Sequence, residues 1–102
     1  MEDLEMCCCQ VIGAVGTARS CYIEAIHKAK EGDYAGAEQL IEEGQNCFIE
    51  GHDAHLKLFE KQGEGELPFN LLILHAEDQL MSAEAFGILA KEFISVYQSI
   101  GK

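Results

Sequence analysis

From Leu71 to Tyr97 the chain places apolar residues on nearly every side of any helix it could form, and no proline interrupts it. Leu72, Ile73, Leu74, Ala76, Leu80, Met81, Ala83, Phe86, Ile88, Leu89, Phe93, Ile94 and Val96 cover most of the surface, and the positions left polar at heptad spacing, Glu77, Glu84 and Lys91, form one narrow stripe. A helix that is apolar almost all round must be covered on several sides. Two sister helices in a chain of 102 residues cannot cover that much surface. The segment therefore predicts packing against copies of itself about a symmetry axis.

Two breaks divide the rest. Glu31-Gly32-Asp33 supplies a glycine suited to end one helix and an aspartate suited to cap the next. Gly63-Glu64-Gly65-Glu66-Leu67-Pro68 holds the only proline; either Pro68 in the first turn or Asn70 as a cap would start the third helix. Segment one carries Cys8, Ile12, Val15, Tyr22, Ile26 and Ala29 at three- and four-residue steps. Segment two carries Ala37, Leu40, Ile41, Cys47, Phe48 and Leu58 less regularly. Nothing alternates with the period of two that a strand needs. The fold expected is all-α: an up-down-up antiparallel three-helix bundle forming a single domain over 1–102, with helices roughly 5–31, 34–62 and 69–100.

Charge narrows the function. Eighteen acidic against seven basic residues give a net charge of −11, which excludes nucleic acid and disfavours an anionic membrane surface. No apolar run approaches the length of a membrane span, so no direct membrane insertion is expected, and the acidic start, MEDLEM, is unlike a targeting segment. Cys7, Cys8, Cys9, Cys21 and Cys47 are odd in number and lack the paired spacing of a zinc site, so they read as reduced and incidental, and the location expected is cytoplasmic.

Inside the apolar third segment sit His75 and Asp78, three residues apart and on one side of a helix. Asp78 falls in the stripe Leu71, Leu74, Asp78, Met81, Ala85, where a core is expected. A carboxylate there is either partly exposed beside a basic residue or, if the third helices meet on an axis, clustered with its symmetry copies around a hard cation. A lone histidine on an apolar helix is most often a hydrogen-bonded core residue, whereas the functional reading uses neutral imidazole as a nucleophile near pH 7. Gly13 and Gly16, followed by Thr17 and Ala18, form a small-residue patch that would leave space beside a neighbouring helix, around His75 on one reading. Arg19 lies in the apolar stripe of segment one and either extends to water or pairs with an acid such as Asp78. His52 and His55 have a spacing that a metal tolerates, a weak signal on its own; His27 reads as a surface residue.

The stretch Leu71-Leu72-Ile73-Leu74-His75-Ala76-Glu77-Asp78-Gln79-Leu80-Met81 resembles the signature of the lactose/cellobiose-specific IIA family of the sugar phosphotransferase system, which runs roughly LL-x-V-H-A-Q-D-H-L-M. Gly16-Thr17-Ala18-Arg19-Ser20 and Ala29-Lys30-Glu31-Gly32-Asp33-Tyr34 are similar to its G-N-A-R-S and A-K-E-G-D-F elements, and the likeness spans nearly the whole chain. The resemblance implies a homotrimer of three-helix subunits (a nine-helix bundle), with His75 phosphorylated and Asp78 of three subunits sharing a divalent cation such as Mg²⁺. It implies a phosphoryl group received from the phosphocarrier HPr and passed to a cysteine of the cognate IIB component. Through IIB, the IIC membrane permease would take up a lactose-, cellobiose- or chitobiose-type sugar. Gln79, Gly13 and Gly16 are the candidate residues lining the site. Glu77 and Gln79 depart from the family's glutamine and second histidine, which bears on the transfer rate. The competing readings are a helical interaction module and a regulatory relative that has lost phosphotransfer.

Overall fold

The turn between the first two helices follows from two residues. In the computed structural model, which describes residues 2–63 and 71–101, Gly32 has φ +85°. Asp33 N–H donates to the Lys28 carbonyl at 2.9 Å and Gly32 N–H to that of Ala29 at 3.0 Å. This is the paired closure that glycine permits after a helix, because only a residue without Cβ takes that backbone region cheaply. Asp33 then opens the next helix: its Oδ1 accepts from Gly36 N–H at 2.9 Å. The donor is the third helical amide, which would otherwise lack a partner.

Three helices result: α1, Glu2–Lys30; α2, Tyr34–Gly63; and α3, Leu71–Gly101. No strand occurs among the described residues. The choice between Pro68 and Asn70 as the start of α3 falls on residues outside those described. Cys7 reaches Ala54, Val15 faces Gly51 and Tyr22 faces Gly44, so α1 and α2 are antiparallel. Arg19 meets Gln79 and Tyr22 faces Gly87, so α1 and α3 run parallel. The described residues measure 53 × 18 × 16 Å, a rod about two helices thick.

The core forms two connected layers along α1. One gathers Cys8, Val11 and Val15 with Ala54, Leu58, Ala76, Leu80 and Ala83; the other gathers Ala18, Tyr22, Ala25 and Ala29 with Ala37, Ile41, Ala90 and Ile94. Each fully buried valine contributes about 1.5–3 kcal/mol. Tyr22 is 3% exposed, and its ring lies in a slot made by two glycines. A Cβ built on Gly44 would stand 2.6 Å from one ring edge, and one on Gly87 would stand 2.9 Å from the other. Because the ring is gripped from both sides it cannot yield, so Gly44→Ala should lower stability by about 2 kcal/mol. Gly13→Ala, whose Cβ would have nothing within 4 Å, should instead raise it by roughly 0.5–1 kcal/mol. Urea unfolding of the two variants checks the pair, and equal effects would refute the slot.

The inward face of α3 is made of small residues: Ala76, Ala83, Gly87 and Ala90, with Leu80 and Ile94. Its large apolar residues point away from the bundle. Leu71, Leu74, Met81, Ile88, Leu89, Val96 and Ile100 are all exposed, Leu71 by 80% and Met81 by 63%. The stripe Leu71, Leu74, Asp78, Met81, Ala85 is therefore the outer face of the single chain, not its core, a correction to the sequence reading. Heptad periodicity identifies an apolar stripe but does not say whether the chain itself covers it.

Candidate functional site

His75 lies one turn into α3 and is exposed. The core takes the adjoining side of the helix through Ala76, Leu80 and Ala83, roughly 80–140° around from His75, which leaves the imidazole at the edge of the outward apolar face. At about 100° per residue, Asp78 projects roughly 60° from His75, Gln79 roughly 40°, and Glu77 roughly 160°. Asp78 and Gln79 thus flank the histidine, while Glu77 belongs to the other side.

Gln79 is joined to α1. Arg19 Nη1 donates to Gln79 Oε1 at 2.7 Å, a part-buried bond linking residues 60 apart in sequence. Arg19 neither simply extends to water nor pairs with Asp78, the two options the sequence left open. The reason is register: the seam that brings Tyr22 to Gly87 sets Arg19 against the Gln79 side of α3, and long helical side chains lean toward their own N-terminus. With the amide oxygen engaged, the Gln79 NH₂ is the donor end left over.

Glu77 faces α2. Burial lowers the pKa of His55, Glu77 acts in the opposite direction by favouring the imidazolium, and His52 adds to the lowering. His55 is 6% exposed, whereas His52 is exposed with its ring 6.2 Å from that of Phe48. The weak metal signal of this pair is not supported: among the described residues no group of three or more His, Cys, Asp or Glu could hold a metal ion. Since the folded state favours neutral His55, its contribution to stability is complete above the ordinary histidine pKa and is lost as pH falls through the lowered folded value. The stability advantage of wild type over His55→Gln should therefore shrink between pH 7 and pH 5, read from paired thermal melts; a constant difference would show that His55 titrates as in water.

Gly13 and Gly16 leave open space on α1, as a small-residue patch would. A Cβ on either would find nothing within 4 Å. Gly13 lines an open groove of about 740 Å³ between α1 and α2 with Thr17, Cys47, Asp53 and Lys57, and no residue of α3 contributes to its wall. His27 is exposed near Glu24, as its sequence context suggests. None of the five cysteines is joined in a disulfide, and burial foremost pushes Cys8 and Cys21 up, away from the reactive thiolate.

Asp78 is exposed, on the outer stripe between Leu74 and Met81. Among the described residues Asp78 belongs to no group of three or more side chains that could hold a metal ion. Carboxylate oxygens are the donors a hard divalent ion takes.

The sequence anomalies thus converge on one end of one helix face: an exposed imidazole, a carboxylate beside it, and a glutamine tethered to an arginine. The sequence did not reveal the Arg19–Gln79 bond or the proximity of Glu77 to His55. Both depend on the register between helices, which no pattern within a single helix encodes.

Comparison with known proteins adds a family. Residues 6–98 match the family described as PTS system, Lactose/Cellobiose specific IIA subunit. The lactose-specific EIIA component of Staphylococcus aureus (strain N315) is 33% identical over 98 residues, covering 95% of this chain and 95% of that protein. The oligo-beta-mannoside-specific EIIA component of Bacillus subtilis (strain 168) is 36% identical over 91 residues, covering 88% and 83%. The crystal structure of the cellobiose-specific enzyme IIA of Bacillus anthracis superposes with a TM-score of 0.89 at 32% identity, covering 93% of this chain and 88% of that one.

Proposed function

The chain belongs to the lactose/cellobiose-specific IIA family of the sugar phosphotransferase system, and we propose that His75 is the residue that carries its phosphoryl group. As a IIA component it is a phosphocarrier, a station in a relay rather than a sugar-binding protein. The observation that supports His75 is its exposure: on a helix whose buried positions are alanine, glycine, leucine and isoleucine, the imidazole stands outside. A histidine serving only the core would be covered, as His55 is.

The step conserves atoms and electrons. A ring nitrogen lone pair of neutral His75 attacks the phosphorus of phosphorylated HPr as the phosphorus–nitrogen bond to the donor histidine breaks, and that bonding pair returns to the donor ring. His75 gives up its remaining ring proton and the donor histidine gains one, exchanged through solvent. The onward step repeats the exchange with a cysteine thiolate of the cognate IIB as acceptor. Through IIB, the phosphoryl group serves the IIC permease in uptake of a lactose-, cellobiose- or chitobiose-type sugar. No described helix is long and apolar enough to cross a membrane, which agrees with a cytoplasmic relay whose membrane step belongs to another component.

The assembly is a homotrimer in which three α3 helices pack by their outward faces. That would cover Leu74, Met81, Ile88, Leu89 and Val96, an exposed apolar row too extensive for an isolated soluble chain. Asp78 of the three copies would then meet near the axis and hold a divalent cation, Mg²⁺ fitting the all-oxygen donor set; the ion would relieve their repulsion. Glu77 lies roughly 160° around α3 from His75, so its charge falls on another side of the helix, which favours retained transfer over a regulatory relative without it.

The test is acceptance and delivery. With phosphoenolpyruvate, Enzyme I and HPr, the chain should gain a phosphoryl group that is stable in alkali and lost in acid, and should lose it on addition of IIB. An unmodified chain in the presence of phosphorylated HPr would refute the assignment.

A further inference from the structure

We propose that Arg19 is the cation that binds the phosphoryl oxygens on His75, with Gln79 as the residue that holds it in place. The inference rests on the phosphocarrier reading of His75 and adds a residue to it.

The phosphoryl group carries close to two negative charges at neutral pH. The chain as a whole carries −11, and three Asp78 carboxylates outnumber the charge of the one divalent cation they would share. Phosphorylating His75 would therefore be opposed by its surroundings unless a further cation faced the group. The cation tied to this end of α3 is Arg19. Its guanidinium lies 2.7 Å from Gln79 Oε1, one helical turn from His75. Residues four apart on a helix are neighbours, and a helical side chain covers the turn N-terminal to its own Cα. For Gln79 that is the turn bearing His75.

The bond to Gln79 uses one of five guanidinium donors, leaving a planar fork suited to two phosphoryl oxygens. A part-buried guanidinium also makes stronger charge-assisted bonds than one in open water. The arrangement accounts for the departure at position 79. Glutamine cannot become cationic as a histidine can, but its amide oxygen accepts a bond that a protonated histidine would refuse, so the positive charge reaches the site from α1 instead.

The measurement is the equilibrium partition of phosphoryl groups between HPr and this chain, read by phosphorus NMR from limiting phosphoenolpyruvate. A residue that binds the phosphoryl group stabilises only the phosphorylated state, so Arg19→Gln should shift the partition toward HPr by about tenfold. It should also move the phosphohistidine resonance. Lys28→Gln, which removes a cation at the far end of α1, should leave both unchanged. If Arg19→Gln does not fold, Arg19→Lys carries the test: it keeps the charge but not the fork, and a shift of about threefold is expected. A partition within twofold of wild type for Arg19→Gln, or one identical to wild type for Arg19→Lys, overturns the proposal. A wild-type chain that takes no phosphoryl group, or a His75→Ala chain that still does, instead overturns the His75 assignment and is read before either Arg19 variant is made.

Discussion

Placing glutamate at both Leu74 and Leu89 is expected to turn the proposed trimer into a monomer that remains helical. Both side chains are about half exposed in the single chain, 45% and 53%, and neither belongs to the buried layers on α1. The substitutions therefore cost the monomer's own fold little. In the trimer each would place three carboxylates against one another in an apolar seam, where an unpaired charge costs several kcal/mol. Six such charges exceed what the seam can supply at micromolar concentration. Sedimentation velocity and far-ultraviolet circular dichroism together check this: loss of helix alongside dissociation would mean that α3 does not hold its place without its partners. Asp78→Leu is the counterpart. It removes clustered charge from the same stripe, so the trimer should persist and melt at higher temperature. Dissociation of that variant would instead show that the carboxylates and their cation hold the assembly together.

His75→Ala is expected to abolish phosphoryl acceptance while leaving the oligomeric state and the melting temperature nearly unchanged. The side chain is exposed, so its truncation opens no cavity, and exposed substitutions usually stay within about 0.5 kcal/mol. The chemical loss has no such limit. The other histidines are poor substitutes: His55 is buried on α2, and His27 and His52 lie on α1 and α2 rather than on the helix that carries Gln79 and Asp78. Phosphorylation that continues in the variant would move the site to one of them.

How much of this the sequence discloses depends on whether a feature is local to one helix. The α1–α2 turn is legible because Gly32 and Asp33 each satisfy a need of the backbone beside them. The apolar excess of α3 is legible as composition, and so is the oddity of His75 and Asp78 within it. Their surroundings are another matter. The stripe through Leu71, Leu74 and Met81 looks like a core because a periodic pattern reports only that a face will be covered. The chain covers the opposite face, where Ala76, Ala83, Gly87 and Ala90 let α1 approach closely; small residues bury little area each, so a hydropathy pattern underrates them. The glycine slot around Tyr22 reads in sequence only as two unfavourable helix residues, Gly44 and Gly87, 43 positions apart. Arg19 reads as a misplaced charge until the parallel register of α1 and α3 brings it to Gln79.

The role of Glu77 shows the same limit. In sequence it stands two residues from His75 and looks like an electrostatic obstacle to a phosphoryl group. Around a helix two residues are far apart, and Glu77 acts on His55 of α2 instead.

The central claim, that this chain carries its phosphoryl group on His75, is tested most directly by locating the group. The chain is phosphorylated through phosphoenolpyruvate, Enzyme I and HPr, digested at alkaline pH and sequenced by tandem mass spectrometry. One phosphoryl group per chain on the α3 peptide, assigned to His75, is the predicted result. A group assigned to His27, His52 or His55, or none on a chain incubated with demonstrably phosphorylated HPr, would contradict it.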